Sequence, residues 1–546
     1  MDRRSFLTNS SLAAAGLVIG SQGETAAQAQ SARGAAAGPV VETASGRVRG
    51  YMDQGVNAFR GIPYGASTAG ANRFQPPQKP QPWTGVRDAV ELGLRSPQLQ
   101  DPRIPEFSVM DRAEPSGEDC LMLNVWSSGL GTGRRPVMVW FHGGGFAAGS
   151  AGFTCYDGAN LARKHDVVVV GVNHRLNIFG FLYLAEIGGP RFANASNVGM
   201  LDAVAALEWV RDNIARFGGD PGNVTIFGQS GGGGKVSTLL GMPAAKGLFH
   251  KAIAMSGSQV RSGTRDAANR TAQTVLERLQ IRPEQAERIQ QLSWRQVRGL
   301  LGGQGLNFGP VMDGKTIPAH NFDPVATEIS ADVPLMIGST ETEQTWNTGQ
   351  LYDVLSDGEL REDVMRVLQT DTAGADQAIA LYKKNRPRAS NLDLFLILSS
   401  DASGFRTGTD TQAERKAVQN RAAVYRYYFQ WYSPVRAGQL RSMHTMDIPF
   451  AFDNTAIARS LLGNGADVQP LSDRMAASWV AFARTGNPNN PKVPNWPKFD
   501  AATKATMIFN SETRLANNPY GEEKAAIAAV RGRVAPAGGR GGGPAA

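Results

Sequence analysis

The sequence contains few of the residues that build metal sites or disulfide frameworks. Its 546 residues include only two cysteines and six histidines. The cysteines, Cys120 and Cys155, allow one disulfide at most, which excludes a small disulfide-rich scaffold. Because the histidines show neither an H-E-x-x-H motif nor a Cys/His ligand spacing, we expect no metal site and no metal cofactor.

Long apolar runs and runs of a single charge are also missing. No stretch reaches the roughly 20 apolar residues that a membrane-spanning helix needs, so we expect no stable membrane insertion. The net charge is +8, but both signs are spread along the chain and no basic run reaches five residues. This pattern is typical of a solvated surface and argues against nucleic-acid binding. The content of 42% hydrophobic and 19% charged residues fits a globular protein with a large core.

The two ends of the chain differ in composition from the rest. Residues 1–29 combine the pair Arg3-Arg4 with a short apolar stretch and an A-x-A cleavage pattern at Ala27-Gln28-Ala29. These features predict a twin-arginine-type signal peptide, and therefore export to the periplasm or the medium. The remaining divisions that we expect are an Ala/Gly spacer over residues 30–39, one globular domain over 40–520, and a disordered low-complexity tail over 521–546.

Strand-like and helix-like segments alternate along the globular part. Residues 118–126, Val137–Phe141 and Val167–Val172 are apolar runs of the kind that forms buried parallel strands. The apolar spacing from Leu201 to Ile214 predicts a helix, and the alternation predicts an α/β sheet. Residues 345–420 are mostly helical in pattern and charged, and we expect them to cap the site.

One short turn organises the rest of the chain. The run Val224–Phe227 predicts a buried strand, and Gly228-Gln229-Ser230-Gly231-Gly232 follows it with the G-x-S-x-G spacing of a nucleophile elbow. In such a turn the nucleophile takes a strained positive-φ conformation, and its neighbours must lack bulk. The segment after the turn predicts a helix, whose N-terminus favours developing negative charge.

The elbow motif needs support from elsewhere, because a chain with 63 glycines can contain G-x-S-x-G by chance. A second interpretation of the same stretch is a phosphate loop, suggested by Gly233-Gly234-Lys235. It fails because Gln229 occupies the first glycine position and Val236 follows the lysine in place of Ser or Thr.

A serine hydroxyl becomes a strong nucleophile only when a base removes its proton. In hydrolases with this elbow, an acid and then a histidine follow the serine along the chain. His444, in a polar loop after the aromatic run Val424–Trp431, is the best candidate for the base. The acid should lie at a strand end before it, where Glu341 and Glu343 both qualify and spacing does not choose between them.

A glycine loop ahead of the elbow predicts an oxyanion hole. The stretch His142-Gly143-Gly144-Gly145-Phe146 follows a predicted strand and matches the HGGG type. Its backbone N–H groups, together with the N–H of Gly231, are the expected donors to a negatively charged oxygen. A glycine loop followed by an elbow is far rarer by chance than either motif alone, so the pair favours a serine hydrolase.

The chain resembles the type-B carboxylesterase family, which includes the bacterial para-nitrobenzyl-type esterases and the cholinesterases. The resemblance covers about residues 40–510 and implies an α/β-hydrolase fold, with a mostly parallel central sheet, flanking helices and helical cap insertions. It also implies hydrolysis of small-molecule esters without a cofactor. The matching stretches are EDCLMLNVW at 118–126, FHGGGF at 141–146, VNHRLNIFGFL at 172–182, FGGDPGNVTIFGQSGG at 217–232, the G-x-x-x-x-E turn at 338–343, HTMDIPFAF at 444–452 and WVAFARTGNPN at 479–489.

The resemblance also implies a role for each site residue. Under it, Ser230 is the nucleophile, His444 is the base, and Glu343 rather than Glu341 is the acid. Gly144, Gly145 and Gly231 are implied to form the oxyanion hole. Ser256 is implied to hydrogen-bond the acid.

The departures from the family pattern limit the range of substrates that we expect. Gln229 stands where the family usually has Glu, which removes a negative charge beside the site and weakens the case for a cationic substrate. Residues 96–98 hold no partner cysteine for Cys120, so no disulfide is expected to close that loop. Residues 97–119 also lack the Trp with which cholinesterases hold a quaternary ammonium, which excludes cholinesterase activity.

We therefore expect a serine carboxylesterase acting on small to medium uncharged esters through an acyl-enzyme. An amidase or lactonase with the same triad is the alternative. A non-catalytic binding protein on the same fold is less favoured, because all three triad positions are filled.

Overall fold

The computed structural model describes residues 38–99, 114–345 and 354–534. The predicted signal peptide lies outside the described residues, as do most of the 30–39 spacer and the end of the tail from residue 535. In the three described ranges, no helix combines the length and apolar character needed to cross a membrane. The same ranges contain no group of three or more His, Cys, Asp or Glu side chains placed to hold a metal ion.

Two sheets hold the strands of the described residues. A small sheet has the order β1-β2-β5, and an eleven-stranded sheet has the order β14-β13-β12-β11-β10-β9-β7-β8-β6-β4-β3. The strands are β1 (Val40–Thr43), β2 (Gly46–Arg49), β3 (Tyr51–Asp53), β4 (Val56–Pro63), β5 (Val86–Asp88), β6 (Met122–Ser127), β7 (Arg135–Phe141), β8 (Val168–Val172), β9 (Gly219–Gln229), β10 (Lys251–Met255), β11 (Leu335–Thr340), β12 (Val424–Phe429), β13 (Ala505–Phe509) and β14 (Arg514–Asn517).

The helices flank the large sheet and form a separate group after β11. They are α1 (Ala159–His165), α2 (Asn177–Phe181), α3 (Val198–Asn213), α4 (Gly231–Leu239), α5 (Arg265–Arg278), α6 (Trp294–Gly299), α7 (Asp357–Leu368), α8 (Thr372–Asn385), α9 (Asn391–Ala402), α10 (Gly404–Val418), α11 (Ile448–Ala451), α12 (Arg459–Leu462), α13 (Val468–Thr485) and α14 (Gly521–Val530).

The large sheet is mostly parallel, which confirms the predicted α/β class. The strands from β8 through β7, β9, β10, β11 and β12 to β13 all pair in parallel. The expectation that 118–126 forms a parallel strand is wrong, since β6 pairs antiparallel with both β4 and β8. All six residues of β6 are buried, and burial on both faces produces an apolar run whatever the strand direction.

The register of the parallel strands brings the site-bearing loops to one edge. Phe141 at the end of β7 lies opposite Gly228, and Gln229 at the end of β9 lies opposite Met255. Met255 in turn lies opposite Gly338, near the end of β11. Because ligands of open α/β sheets bind at the carboxyl ends of the strands, the loops after these strands define the candidate site.

The predicted cap is helical in its described part, residues 354–420. It consists of α7 to α10. Helices α7, α8 and α9 share a separate hydrophobic cluster with members such as Leu360, Tyr382 and Phe395, whereas Ala413 of α10 packs in the core cluster of the large sheet. The cap approaches the sheet next to the loop after β11, where Ser400 Oγ accepts a hydrogen bond from the Gln344 N–H at 3.0 Å.

The tail prediction is wrong for residues 521–530, which form α14. Ile527 and Val530 belong to the hydrophobic cluster of the cap, and buried Glu523 pairs with Arg386. The Ala-rich composition that suggested disorder also favours a helix, and the cap supplies the apolar surface that stabilises it.

Neither cysteine forms a disulfide. Cys120 and Cys155 are both buried and are not joined to each other. Burial raises the pKa of both thiols, to about 12 for Cys155, so both are held as neutral thiols.

Candidate active site

The elbow has the predicted strand–turn–helix geometry. Ser230 separates β9 from α4 and has φ 57° and ψ −126°. Its N–H donates to Met255 O at 2.8 Å, and its carbonyl accepts from the Gly234 N–H at 2.9 Å, so the turn is fixed from both sides. A Cβ added at Gly232 would lie 2.0 Å from Phe141 O, which explains why the motif needs glycine there.

The glycine loop after β7 lies directly against the elbow. Gly144 and Gly145 have φ values of 89° and 62°, and both are half-buried. A Cβ added at Gly231 would lie 2.1 Å from Gly145 O, which shows how closely the two backbones approach. No acceptor among the described residues pairs with the backbone N–H groups of Gly144, Gly145 or Gly231. These groups are therefore available to a substrate oxygen beside Ser230.

Glu343 and His444 are in direct contact. Glu343 Oε2 lies 2.5 Å from His444 Nδ1, and Glu343 Oε1 accepts a hydrogen bond from the Thr340 N–H at 2.8 Å. Both side chains are buried. The residues that precede them, Thr342 and Met443, form a parallel β-bridge that joins the two loops.

The charge state of Glu343 is set by two opposing effects. Burial raises the pKa of this carboxyl, but the adjacent His444, with help from Ser256 and the Thr340 N–H, brings it below its ordinary value. Ser256 Oγ is buried but has no hydrogen-bond partner among the described residues, so the predicted hydrogen bond from Ser256 to the acid is not confirmed. Glu343 is therefore held as a carboxylate against the imidazole ring of His444.

Glu341, the other candidate acid, is directed away from the imidazole. It is buried and accepts a hydrogen bond from Gln430 Nε2 at 2.7 Å. Burial raises its pKa, opposite to the shift of Glu343. The fold thus separates two glutamates that sequence spacing left equivalent.

Gln229, the residue before Ser230, lies against the imidazole. Its amide nitrogen lies 3.4 Å from each ring nitrogen of His444. On another side, the Phe405 ring from α10 lies 4.4 Å from the imidazole, centroid to centroid. The imidazole therefore lies between the elbow and the cap.

The sequence analysis assigned no role at this site to four further residues that lie near it. Arg406 donates to Thr340 O at 2.7 Å, next to the acid turn, and Phe405 precedes it. Asp447 is buried, and burial raises its pKa to about 7. Lys235 is buried under the glycine loop. The only signals in the sequence are a charged residue in a glycine-rich stretch for Lys235 and a carboxylate three residues after His444 for Asp447.

Comparison with known proteins identifies the family of the chain. The sequence profile of the carboxylesterase family matches residues 37–527. A para-nitrobenzyl esterase of Bacillus subtilis is 35% identical over 504 residues, which cover 89% of this chain and 97% of that esterase. A phenmedipham hydrolase of Pseudarthrobacter oxydans is 32% identical over 491 residues, covering 87% of this chain and 95% of the hydrolase.

A solved structure extends the likeness to three dimensions. A carboxylesterase of Geobacillus stearothermophilus superimposes with a TM-score of 0.77 and 36% sequence identity, covering 89% of this chain and 99% of that chain. Such a match over nearly the whole length confirms the α/β-hydrolase fold. Together with the family match, it shows that the chain belongs to the carboxylesterase family and is a carboxylesterase, an enzyme that hydrolyses carboxylic esters.

Proposed function

We propose that this carboxylesterase uses Ser230, His444 and Glu343 as a catalytic triad and forms an acyl-enzyme intermediate. The observation that carries the proposal is the 2.5 Å contact between Glu343 Oε2 and His444 Nδ1. A carboxylate only accepts, so Nδ1 carries the proton in this contact. The neutral imidazole then has Nε2 unprotonated and able to act as a base.

In the acylation step, Ser230 Oγ attacks the ester carbonyl while His444 takes the hydroxyl proton. The carbonyl oxygen becomes an oxyanion, which the N–H groups of Gly144, Gly145 and Gly231 stabilise. One such donor typically contributes about 10²–10³ to kcat. His444 then passes its proton to the leaving alcohol, and the acyl group remains on the serine.

In the deacylation step, water takes the place of the alcohol. His444 removes a proton from the water, which attacks the acyl carbonyl in the same hollow. Collapse of the second tetrahedral intermediate returns the proton to Ser230 and releases the carboxylic acid. Glu343 stabilises the imidazolium in both steps.

For the substrate, we propose small to medium uncharged esters. Gln229 supplies no negative charge beside the site, which removes the attraction for cationic esters. Phe146 follows the glycine loop and packs edge-on against Phe181, with 5.2 Å between ring centroids, so the loop adjoins apolar side chains. A panel of p-nitrophenyl esters, matched lactones and matched anilides tests this proposal, and faster turnover of an anilide or a lactone would contradict it.

The triad is tested by Ser230→Ala. We expect the variant to lose hydrolysis of p-nitrophenyl butyrate to the background level while its circular dichroism stays unchanged. Mass spectrometry after organophosphate treatment should locate the adduct on Ser230 of the wild-type enzyme. Activity retained by the variant, or an adduct on another residue, would remove Ser230 from the mechanism.

We also propose that the enzyme is exported by the twin-arginine route. The proposal rests on Arg3-Arg4 and the short apolar stretch that follows. Replacing both arginines by lysine should leave uncleaved precursor in the cytoplasm, as seen by fractionation and immunoblotting. Unchanged export would refute the proposal.

A further inference from the structure

A buried lysine lies directly beneath the glycine loop. Lys235 belongs to α4, just after Ser230 in the chain, and its side chain is 0% exposed. Its ammonium group donates to Gly145 O at 2.7 Å and to His142 O at 3.2 Å. The same nitrogen lies 5.1 Å from the centre of the Phe146 ring, within cation–π range. Three independent contacts therefore direct this ammonium group at the glycine loop.

Keeping a lysine in this place is energetically costly. Burial alone lowers the pKa of Lys235 to about 7, and none of the described carboxylates opposes the shift. A buried cation without a carboxylate partner disfavours folding unless its hydrogen bonds compensate for the lost water. An apolar side chain of similar length would fill the same space without this cost, so packing alone does not account for the lysine.

The hydrogen bonds of the glycine loop share one pattern. Lys235 holds His142 O and Gly145 O, which are the first and last carbonyls of the loop. Between them, His142 Nδ1 donates to Gly143 O at 2.8 Å, and the Ala148 N–H donates to Gly144 O at 3.0 Å. Every carbonyl from His142 to Gly145 thus accepts a hydrogen bond from within the protein.

Holding the carbonyls also sets the direction of the N–H groups. In a planar trans peptide the C=O and N–H point in opposite directions. The peptides that join Gly143 to Gly144 and Gly144 to Gly145 carry the two expected oxyanion donors. Lys235 holds the peptides on either side of this pair, so its ammonium group limits rotation at both ends of the donor segment.

We propose that Lys235 is a positioning residue of the oxyanion hole, whose ammonium group holds both ends of the His142–Gly145 loop so that the N–H groups of Gly144 and Gly145 face the reacting carbonyl oxygen. The positive charge close behind the loop also favours the oxyanion over the neutral carbonyl. The inference rests on the proposed function, because it assumes that the reacting carbonyl lies between this loop and Ser230.

The chain contains a matched control for this role. Lys416 is 1% exposed, and its ammonium group donates to two backbone carbonyls, Ser330 O at 2.6 Å and Ala331 O at 2.8 Å. Burial lowers its pKa to about 8, close to the value for Lys235. These carbonyls precede β11, whereas the site lies beyond the other end of that strand. Lys416 is therefore a second buried ammonium group that holds two backbone carbonyls, with one further hydrogen bond to Gln419 Oε1 at 3.2 Å, but it lies away from the site.

The experiment compares Lys235→Met with Lys416→Met. We expect both variants to lose thermal stability, because each leaves two backbone carbonyl oxygens without the ammonium donor that they have in the wild type. Only Lys235→Met should lower kcat for p-nitrophenyl butyrate, by roughly 10- to 100-fold, with KM within about threefold of wild type. Its Ki for a trifluoromethyl ketone, which binds as a tetrahedral oxyanion, should rise by the same factor as kcat/KM falls.

Lys235→Gln is the second variant if the methionine protein does not fold. Its shorter, uncharged amide keeps donors but not the charge, so its kcat and Ki should lie between those of wild type and the full loss. A Gln variant that matches wild type in both constants overturns the proposal. So does a folded Lys235→Met variant with wild-type kcat, or an equal fall in kcat in Lys416→Met.

The Ser230→Ala variant separates the two levels of inference. If it retains hydrolysis, the proposed triad fails. If it is inactive while the Lys235 variants keep wild-type kcat and Ki, the triad stands and the role of Lys235 fails.

Discussion

The two halves of the active site are built in opposite ways. On the nucleophile side, the elbow and the glycine loop bring backbones together where side chains are missing, as the space at Gly232 shows. On the acid–base side, Glu343 and His444 are buried side chains from loops 101 residues apart. From this difference we expect added volume to reduce activity in the first half and altered charge to reduce it in the second.

The acid–base half should show the largest effect, because its chemistry depends on one carboxylate. We expect Glu343→Gln to lower kcat by about 10³–10⁴-fold, since a neutral amide no longer stabilises the imidazolium. The measurement is steady-state hydrolysis of p-nitrophenyl butyrate.

Glu341→Gln is the control in the same turn, because Glu341 is also buried but is bonded to Gln430. It should stay within about threefold of wild type, because its carboxylate does not contact the imidazole. A larger loss from Glu341→Gln than from Glu343→Gln would reverse the assignment of the acid.

We expect the next largest loss of activity in the nucleophile half, where an added side chain would collide with the backbone. In Gly232→Ala the new methyl group meets the backbone oxygen of Phe141, which no side-chain rotation relieves. We expect a loss of about 10²-fold in kcat from displacement of the elbow. Gly299→Ala, at a helical position where an added Cβ meets nothing within 4 Å, is the control and should keep full activity. Wild-type activity in Gly232→Ala would show that the elbow tolerates volume.

Arg406, a buried cation behind the turn that carries Glu343, extends the comparison of the two halves from activity to stability. Arg406 is 1% exposed, stacks 3.8 Å above the Tyr428 ring and lies 3.8 Å from Asp401. Arg406→Met leaves Asp401 buried without its cation, so we expect the unfolding free energy to fall by roughly 3–5 kcal/mol. Urea unfolding measures this change. The exposed pair Arg361–Asp376 supplies the control, and Arg361→Met should leave stability unchanged.

The smallest expected effect concerns Asp447, a second buried carboxylate near Glu343. Burial raises its pKa to about 7, opposed by the hydrogen bond from Tyr427 and reinforced by Glu343. The folded state therefore holds a proton that the unfolded state releases between about pH 4 and pH 7, and this group's contribution to stability is lost as the pH rises through that window.

Asp447→Asn removes this contribution. Relative to wild type, the variant should gain roughly 1–3 kcal/mol of unfolding free energy between pH 4 and pH 7. Unfolding curves at a series of pH values measure the difference. A difference that does not change with pH would mean that Asp447 stays ionised in the folded protein.

Much of the nucleophile half was predictable because residues that are adjacent in the sequence determine its backbone geometry. A β-branched run, the G-x-S-x-G spacing and the glycine loop each specify a backbone conformation locally. The acid was not predictable from spacing, because Glu341 and Glu343 occupy the same turn. Their separation depends on Gln430 and His444, which reach that turn only after the sheet and cap have formed.

The remaining misses have the same cause. The direction of β6 depends on its neighbours in the sheet, and helix α14 forms where the cap covers its apolar face. The sequence by itself determined the α/β class, the elbow and the glycine loop, because local spacing encodes backbone shape. Only the tertiary structure decided which carboxylate meets the imidazole and where Lys235 directs its charge, because partners distant in the chain are chosen by packing.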